Sequence, residues 1–111
     1  MNRFAIGLAI LLAGCTSPQD SGVTAIVGAR LESGANRPPI EYSVVVIADG
    51  KIRAAGTQAA VPVPKGSQII RALGMTVEPV PGGDPIEAGR PANLVLKGPT
   101  DRYMRNGEWV P

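Results

Sequence analysis

The side chains able to do chemistry are few, and their types limit what that chemistry can be. Histidine is absent from all 111 residues. Its absence removes the usual proton shuttle near neutral pH, the commonest metal ligand and every Ser-His or Cys-His nucleophile pair. Cysteine occurs once, at Cys15, so neither an internal disulfide nor a thiolate metal cluster can form. Paired carboxylates such as Asp84 and Glu87 can in principle do acid–base work, and Glu41, Asp49 and Glu108 are further acids. Each falls in a predicted turn or loop, where a solvated surface role is the expectation. Ser17, Ser21, Ser33, Ser43 and Ser67 have no histidine to activate them. Gly82-Gly83 does not open a phosphate-cradling loop that leads into a helix. The sequence therefore predicts no catalytic residue, no metal site and no cofactor.

The lone thiol has a context of its own. Arg3 gives a short positive start, and residues 4–13 then run apolar as Phe-Ala-Ile-Gly-Leu-Ala-Ile-Leu-Leu-Ala. These ten residues are half of the ~20 needed to span a bilayer as a helix, so the run reads as a secretion leader. Leu12-Ala13-Gly14-Cys15 resembles the lipobox of bacterial lipoproteins. That resemblance implies acylation of the Cys15 thiol, cleavage before it, and acylation of the new amino group. The other reading is an ordinary secretion signal with an incidental cysteine. Thr16 stands where an aspartate would suggest retention at the inner membrane of a Gram-negative cell. Its presence favours the periplasmic face of the outer membrane, if the host has one. One acyl chain holds a protein only marginally at ~0.8 kcal/mol per buried methylene, whereas two or three on one cysteine hold it firmly. Residues 16–22, Thr-Ser-Pro-Gln-Asp-Ser-Gly, are polar and turn-rich, a tether above the lipid.

The elements that follow are all strand-like. Aromatic residues make up only 4% of the chain, so a core must come from Val, Ile, Leu and Ala; 14 glycines and 11 prolines suit short strands and many turns. The net charge is +2, and removing Arg3 from the 11 basic residues leaves 10 against 9 acidic ones. The basic residues do not cluster, which gives no footprint for nucleic acid. In residues 23–31 every odd position is apolar, the period of a strand with one covered face. Residues 32–39 form a loop. Residues 42–48, Tyr-Ser-Val-Val-Val-Ile-Ala, are apolar on both faces and predict a central strand buried on both sides. Asp49-Gly50 then signals a hairpin into residues 51–56, because both turn positions tolerate positive φ. Val61-Pro62-Val63-Pro64 forbids helix and central strand alike. Short strands are expected at 67–72, 75–77 and 93–97. A second hairpin over 102–110 turns at Asn106-Gly107, with Trp109 in its core or on its rim. The sum is an all-β sandwich or flattened roll of about seven or eight short strands.

These runs also resemble, in their order, the β segments of metal-dependent amidohydrolases, the imidazolonepropionase-like members most of all. Val27-Gly28-Ala29-Arg30-Leu31, Pro38-Pro39-Ile40-Glu41, residues 43–52 and 55–56, Val61-Pro62-Val63-Pro64-Lys65-Gly66 and Gly74-Met75-Thr76-Val77-Glu78-Pro79 look like the segment before the barrel. Residues 84–96 look like the segment after it, and Tyr103-Met104-Arg105-Asn106-Gly107-Glu108-Trp109-Val110 like the closing hairpin. The resemblance implies the composite β-sandwich that accompanies a metal-binding TIM barrel of roughly 250 residues. In that family a His-x-His pair follows the proline matched by Pro79. Here Pro79 is followed by Val80-Pro81-Gly82-Gly83 and then by the post-barrel segment. The barrel is missing, and no family ligand or catalytic residue maps onto this chain. Arg71 also stands where an acid is common.

The expected organisation is a leader over 1–14, a lipidated Cys15 with tether over 15–22, and a sandwich over 23–111 with halves 23–80 and 84–111. The expected role is a membrane-anchored, non-catalytic module. Its partners are the lipid bilayer through Cys15 and a second copy or another envelope protein. The alternative is the accessory subunit of a split amidohydrolase, acting on non-peptide C–N bonds, whose barrel lies on another chain.

Overall fold

The computed structural model describes residues 22–111, so the leader and Cys15 lie outside the described residues. Nine strands and no helix are found among those described: β1 Thr24–Val27, β2 Arg30–Leu31, β3 Ser43–Ala48, β4 Lys51–Thr57, β5 Gln68–Arg71, β6 Thr76–Pro79, β7 Leu94–Lys97, β8 Arg102–Arg105 and β9 Glu108–Trp109. They form two sheets. One is four-stranded in the order β4-β3-β1-β5, and the other is five-stranded in the order β9-β8-β7-β6-β2. The all-β class read from the sequence is the class observed.

All six residues of β3 are buried. Val45 and Ile47 face the main interior, where Ile26, Leu31, Ile52, Val77, Leu94, Leu96 and Met104 meet between the sheets. Val44, Val46 and Ala48 face the other way and pack with Val23 and Val61. The second cover comes from the proline-rich 58–67 segment, which must cross the sheet because β4 and β5 occupy its opposite edges. Proline cannot join a ladder, so this stretch lies over the sheet as a strap and Val61 supplies the apolar contact.

Residues 23–31 do not form the single alternating strand that their pattern predicts. Gly28 adopts φ +97 and divides the run. β1 stays in the four-stranded sheet and β2 crosses into the five-stranded one, which raises the strand count to nine. Ala25 and Ile26 are both fully buried, since β1 also has covers on two sides. A bulge in β4 shifts the register between Val46 and Ile47. The extra residue is Arg53. It places Ile52 and Ala55 against the main interior and Ala54 against the strap, which a strict period of two does not allow.

Both predicted hairpin turns form. Asp49 and Gly50 have φ +56 and +76, and Asn106 and Gly107 have φ +49 and +84, the backbone of a two-residue turn matched to strand twist. The two turns also touch. A Cβ built on Gly107 comes within 2.8 Å of the Gly50 Cα, and one on Gly50 within 3.0 Å of the Asn106 carbonyl oxygen. The Gly107 N–H further donates to the Ala92 carbonyl, and the Asn106 N–H to the Asn93 side-chain oxygen. Gly107→Ala adds both positive-φ strain and overlap with backbone, so the domain loses about 1–3 kcal/mol. Gly22 has open space around it and a Gly22→Ala change leaves stability unaltered. Urea denaturation of the two variants checks the contrast.

Candidate functional site

The place where chemistry or docking would concentrate is the junction of the two halves, because the resemblance puts the barrel there. β6 ends at Pro79. The next four residues turn the chain directly into the last segment. Pro81 stands at the second position of this turn, Gly82 at the third has φ +74, and the Gly83 N–H donates to the Val80 carbonyl at 2.8 Å. These are the features of a type II turn. A Cβ on Gly83 falls 2.6 Å from Val80 Cγ2 and 3.1 Å from the Val80 carbonyl oxygen, so a larger residue there forces the Val80 side chain to move. The groove beside the turn is lined by Glu32, Arg37 and Glu78 together with Pro39, Pro79 and Val80, a mixed surface.

The predicted carboxylate pair sits just past this turn and is neutralised by arginine. Glu87 accepts from Arg37 at 2.7 Å and from Arg90 at 3.2 Å. Arg90 also lies 4.0 Å from Asp84. The structure thus brings Asp84 and Glu87 to one guanidinium. A carboxyl prepared for proton transfer is desolvated and kept from cations, whereas the Asp84 side chain is 51% exposed. Glu41 is likewise paired, accepting from Arg30 at 2.6 Å. The hydrogen bond to Glu32, then the charges of Glu41 and Glu32, push the Arg30 guanidinium pKa further up. Asp49 lies in its turn as expected, whereas Glu108 stands on β9, paired with Arg105, and not in a turn or loop, because the closing hairpin turns at Asn106-Gly107 just before it; both are exposed.

Among the serines, Ser43 is fully buried and its hydroxyl donates to the Ala29 carbonyl at 2.7 Å. The Ser67 hydroxyl donates to the Pro64 carbonyl. These are structural bonds that close local backbone. Ser17, Ser21, Cys15 and the other lipobox residues Leu12, Ala13 and Gly14 lie outside the described residues. Among the described residues no group of three or more His, Cys, Asp or Glu is placed to hold a metal. Trp109 is partly buried against the main interior, with the Arg102 guanidinium 4.2 Å from its ring centroid. It is a rim residue of the closing hairpin, as its position predicts.

One feature carries no sequence signal. A cleft of about 670 Å³ opens beside β4, walled by the 32–41 loop and the segment after the junction. Ser33 lies in it and is 4% exposed, while Arg37 and Glu87 join its two walls. The pair is separated by 50 positions, and nothing in the local pattern of either stretch points to the other.

The described residues thus define a two-sheet β domain whose halves are joined by a four-residue turn. No known family profile matches the chain, and no curated protein matches it. Among solved structures it is similar to a chain described under "Structural and catalytic characterization of molinate hydrolase", with 30% identity and a TM-score of 0.47. That similarity covers 54% of this chain and 13% of the other, so this protein spans a small part of the length of the hydrolase it matches.

The ion pairs around Glu87 are exposed enough for salt to screen them. Glu87→Gln lowers stability by no more than about 1 kcal/mol at low salt. Denaturation repeated in 1 M salt, where the Debye length is about 3 Å, brings variant and parent together.

Proposed function

We propose that this chain is a lipid-anchored envelope protein whose β-sandwich, resembling the composite domain of metal-dependent amidohydrolases, serves as a non-catalytic interaction module. The observation that carries the reading is the 80–83 turn. It occupies the position where the resemblance expects a metal-binding barrel, and it closes the chain there with a single hydrogen bond. The lack of histidine and the arginine pairing of Asp84 and Glu87 favour the same conclusion. So does the order of leader, small residues and lone cysteine at positions 1–15. No helix among the described residues is long and apolar enough to cross a membrane; the proposed anchor is the acyl chains on Cys15.

A separate barrel subunit docking at the junction is the competing arrangement. Such a partner needs an apolar surface to replace the covalent connection. The groove at the 80–83 turn instead intersperses Glu32, Arg37 and Glu78 among Pro39, Pro79 and Val80, with no continuous apolar face. The two most exposed large apolar residues among those described, Tyr42 and Leu73 at 62% and 72%, line a pocket with Gly28 and Met75, before the start of β6 and away from its Pro79 end. None of the other exposed ones, Val63, Ile69, Tyr103 and Val110, lines the groove at the turn. This distribution favours an independent module over a subunit that awaits a barrel.

Metabolic labelling with a palmitate analogue, followed by membrane fractionation, tests the anchor. The parent chain is expected to carry label and to sediment with membranes. Cys15→Ser is expected to lose the label and remain uncleaved, with its β domain folded by circular dichroism. Label retained by Cys15→Ser defeats the reading. A stoichiometric zinc ion or amide hydrolysis by the purified chain defeats its non-catalytic part. A crosslinking pull-down from the same membranes identifies the partner, whether a second copy or another envelope protein.

A further inference from the structure

The outer edge of β4 is covered along only part of its length, and the uncovered part opens into the 670 Å³ cleft. Near its start, Ile52 donates to the Arg90 carbonyl and accepts from the Gly89 N–H, both at 2.8 Å, and the Gly50 carbonyl accepts from Ala92. The chain's own 89–92 stretch therefore lies along this edge as an added extended segment. It does not continue past Ile52. Residues beyond that point pair only with β3.

The register fixes what the free part offers. The Ser43 carbonyl accepts from Gly28 and the Ser43 N–H donates to Ala29, so Ser43 points its backbone groups toward β1. By antiparallel alternation Val45 and Ile47 do the same, leaving Val44 and Val46 to bond β4. Their partners there are Gly56 and Ala54. Ala55, between them, then directs its N–H and carbonyl away from β3 into the cleft. Thr57 points the same way, and its carbonyl already accepts from Ala60 and Val61. The Arg53 bulge and the turn closed on the Thr57 carbonyl bound this edge on either side, the usual devices against strand addition, but between them Ala54, Ala55 and Gly56 present almost no side chain. Arg53 borders the cleft with no ion-pair partner among the described residues. Opposite stand Pro38 and the partly buried Ile40, with Leu31 and Ile86 buried beneath them.

We propose that this cleft binds a short extended peptide segment, apolar with one carboxylate, which adds to β4 at Ala55 where the 89–92 stretch stops. The peptide backbone exchanges hydrogen bonds with the Ala55 N–H and carbonyl, an apolar side chain fills the space over Ile40 and Ile86, and the carboxylate meets Arg53. This deepens the interaction-module reading by naming the partner's chemistry, and it does not depend on lipid at Cys15.

The test is a titration of the full-length ¹⁵N-labelled protein in detergent with the capped tetrapeptide acetyl-Val-Val-Glu-Val-amide at up to millimolar concentration. Hexanoate serves in parallel as an apolar carboxylate without amides. The peptide is expected to shift the Arg53 and Ala55 amides and to slow hydrogen exchange at Ala55. Arg53→Glu, an exposed change that leaves the fold intact, is expected to weaken binding roughly tenfold, the worth of one charge-assisted hydrogen bond. Ala55→Pro, which removes only an outward donor, is expected to abolish it. No perturbation at Ala55 overturns the proposal, as does hexanoate binding equally well or Arg53→Glu binding unchanged. Because palmitate labelling reads the anchor separately, failure here is distinguishable from failure of the anchoring.

Discussion

Strand β3 has no face turned to water, and much of the architecture follows from that. Five of its six residues are Val, Ile or Ala, and all six are buried. Each fully buried Val or Ile contributes about 1.5–3 kcal/mol, which is available only if both sides of the strand are covered. The five-stranded sheet covers one side, and the proline-rich strap through Val61 covers the other. The strap also has a topological task. β5 pairs parallel to β1 on the far edge of the sheet from β4, so the intervening chain must cross β3 and β1. Segments without ladder capacity make that crossing without competing for the sheet.

The two halves of the sequence do not form two halves of the fold. The four-stranded sheet comes wholly from residues before the junction, but the five-stranded sheet is shared. β2 and β6 precede the 80–83 turn and β7 to β9 follow it. The ladder between β6 and β7 runs from Thr76 opposite Lys97 to Pro79 opposite Leu94, so the chain leaves β6 beside the place where β7 begins its return. The later half is clamped again where residues 89–92 meet β4 and where the Asn106-Gly107 turn meets Gly50. A short connection therefore suffices. The sites that chain entry and exit must occupy are adjacent because of strand pairing, whatever joins them.

How much of this the sequence reveals depends on whether a signal is local. The Asp49-Gly50 and Asn106-Gly107 turns are legible because positive φ at two successive positions demands those residue types. The double burial of β3 is legible because β-branched residues occupy both parities. The break at Gly28 is not, since an apolar period of two runs straight through a glycine whose φ is +97 and whose close neighbour, the Leu73 backbone, lies 45 positions further along the chain. The Arg53 bulge is hidden for a similar reason: an inserted residue between two apolar ones leaves composition unchanged and alters only which sheet face each side chain meets. The pairing of Glu87 with Arg37, and with it the closing of the cleft walls, belongs to tertiary placement alone. Asp84 and Glu87 look like an acid–base pair until Arg90 is placed between them.

Anchoring at Cys15 would constrain which end of this domain meets other molecules. Seven residues, 16–22, span at most about 25 Å, so the start of β1 would then stay close to the lipid surface. Thr24 pairs with Ile47 and Gln68, which puts the Asp49-Gly50 turn and the start of β5 at that same end. The far end of the four-stranded sheet, with Gly28, Tyr42 and Leu73, would then point away from the bilayer. The uncovered edge at Ala55 lies between the two, on the flank of the sheet. Under such anchoring a partner approaching from the aqueous side would reach that flank and the far end without displacing lipid, whereas the turn-to-turn contact of Gly50 and Gly107 would face the membrane and serve a purely structural task.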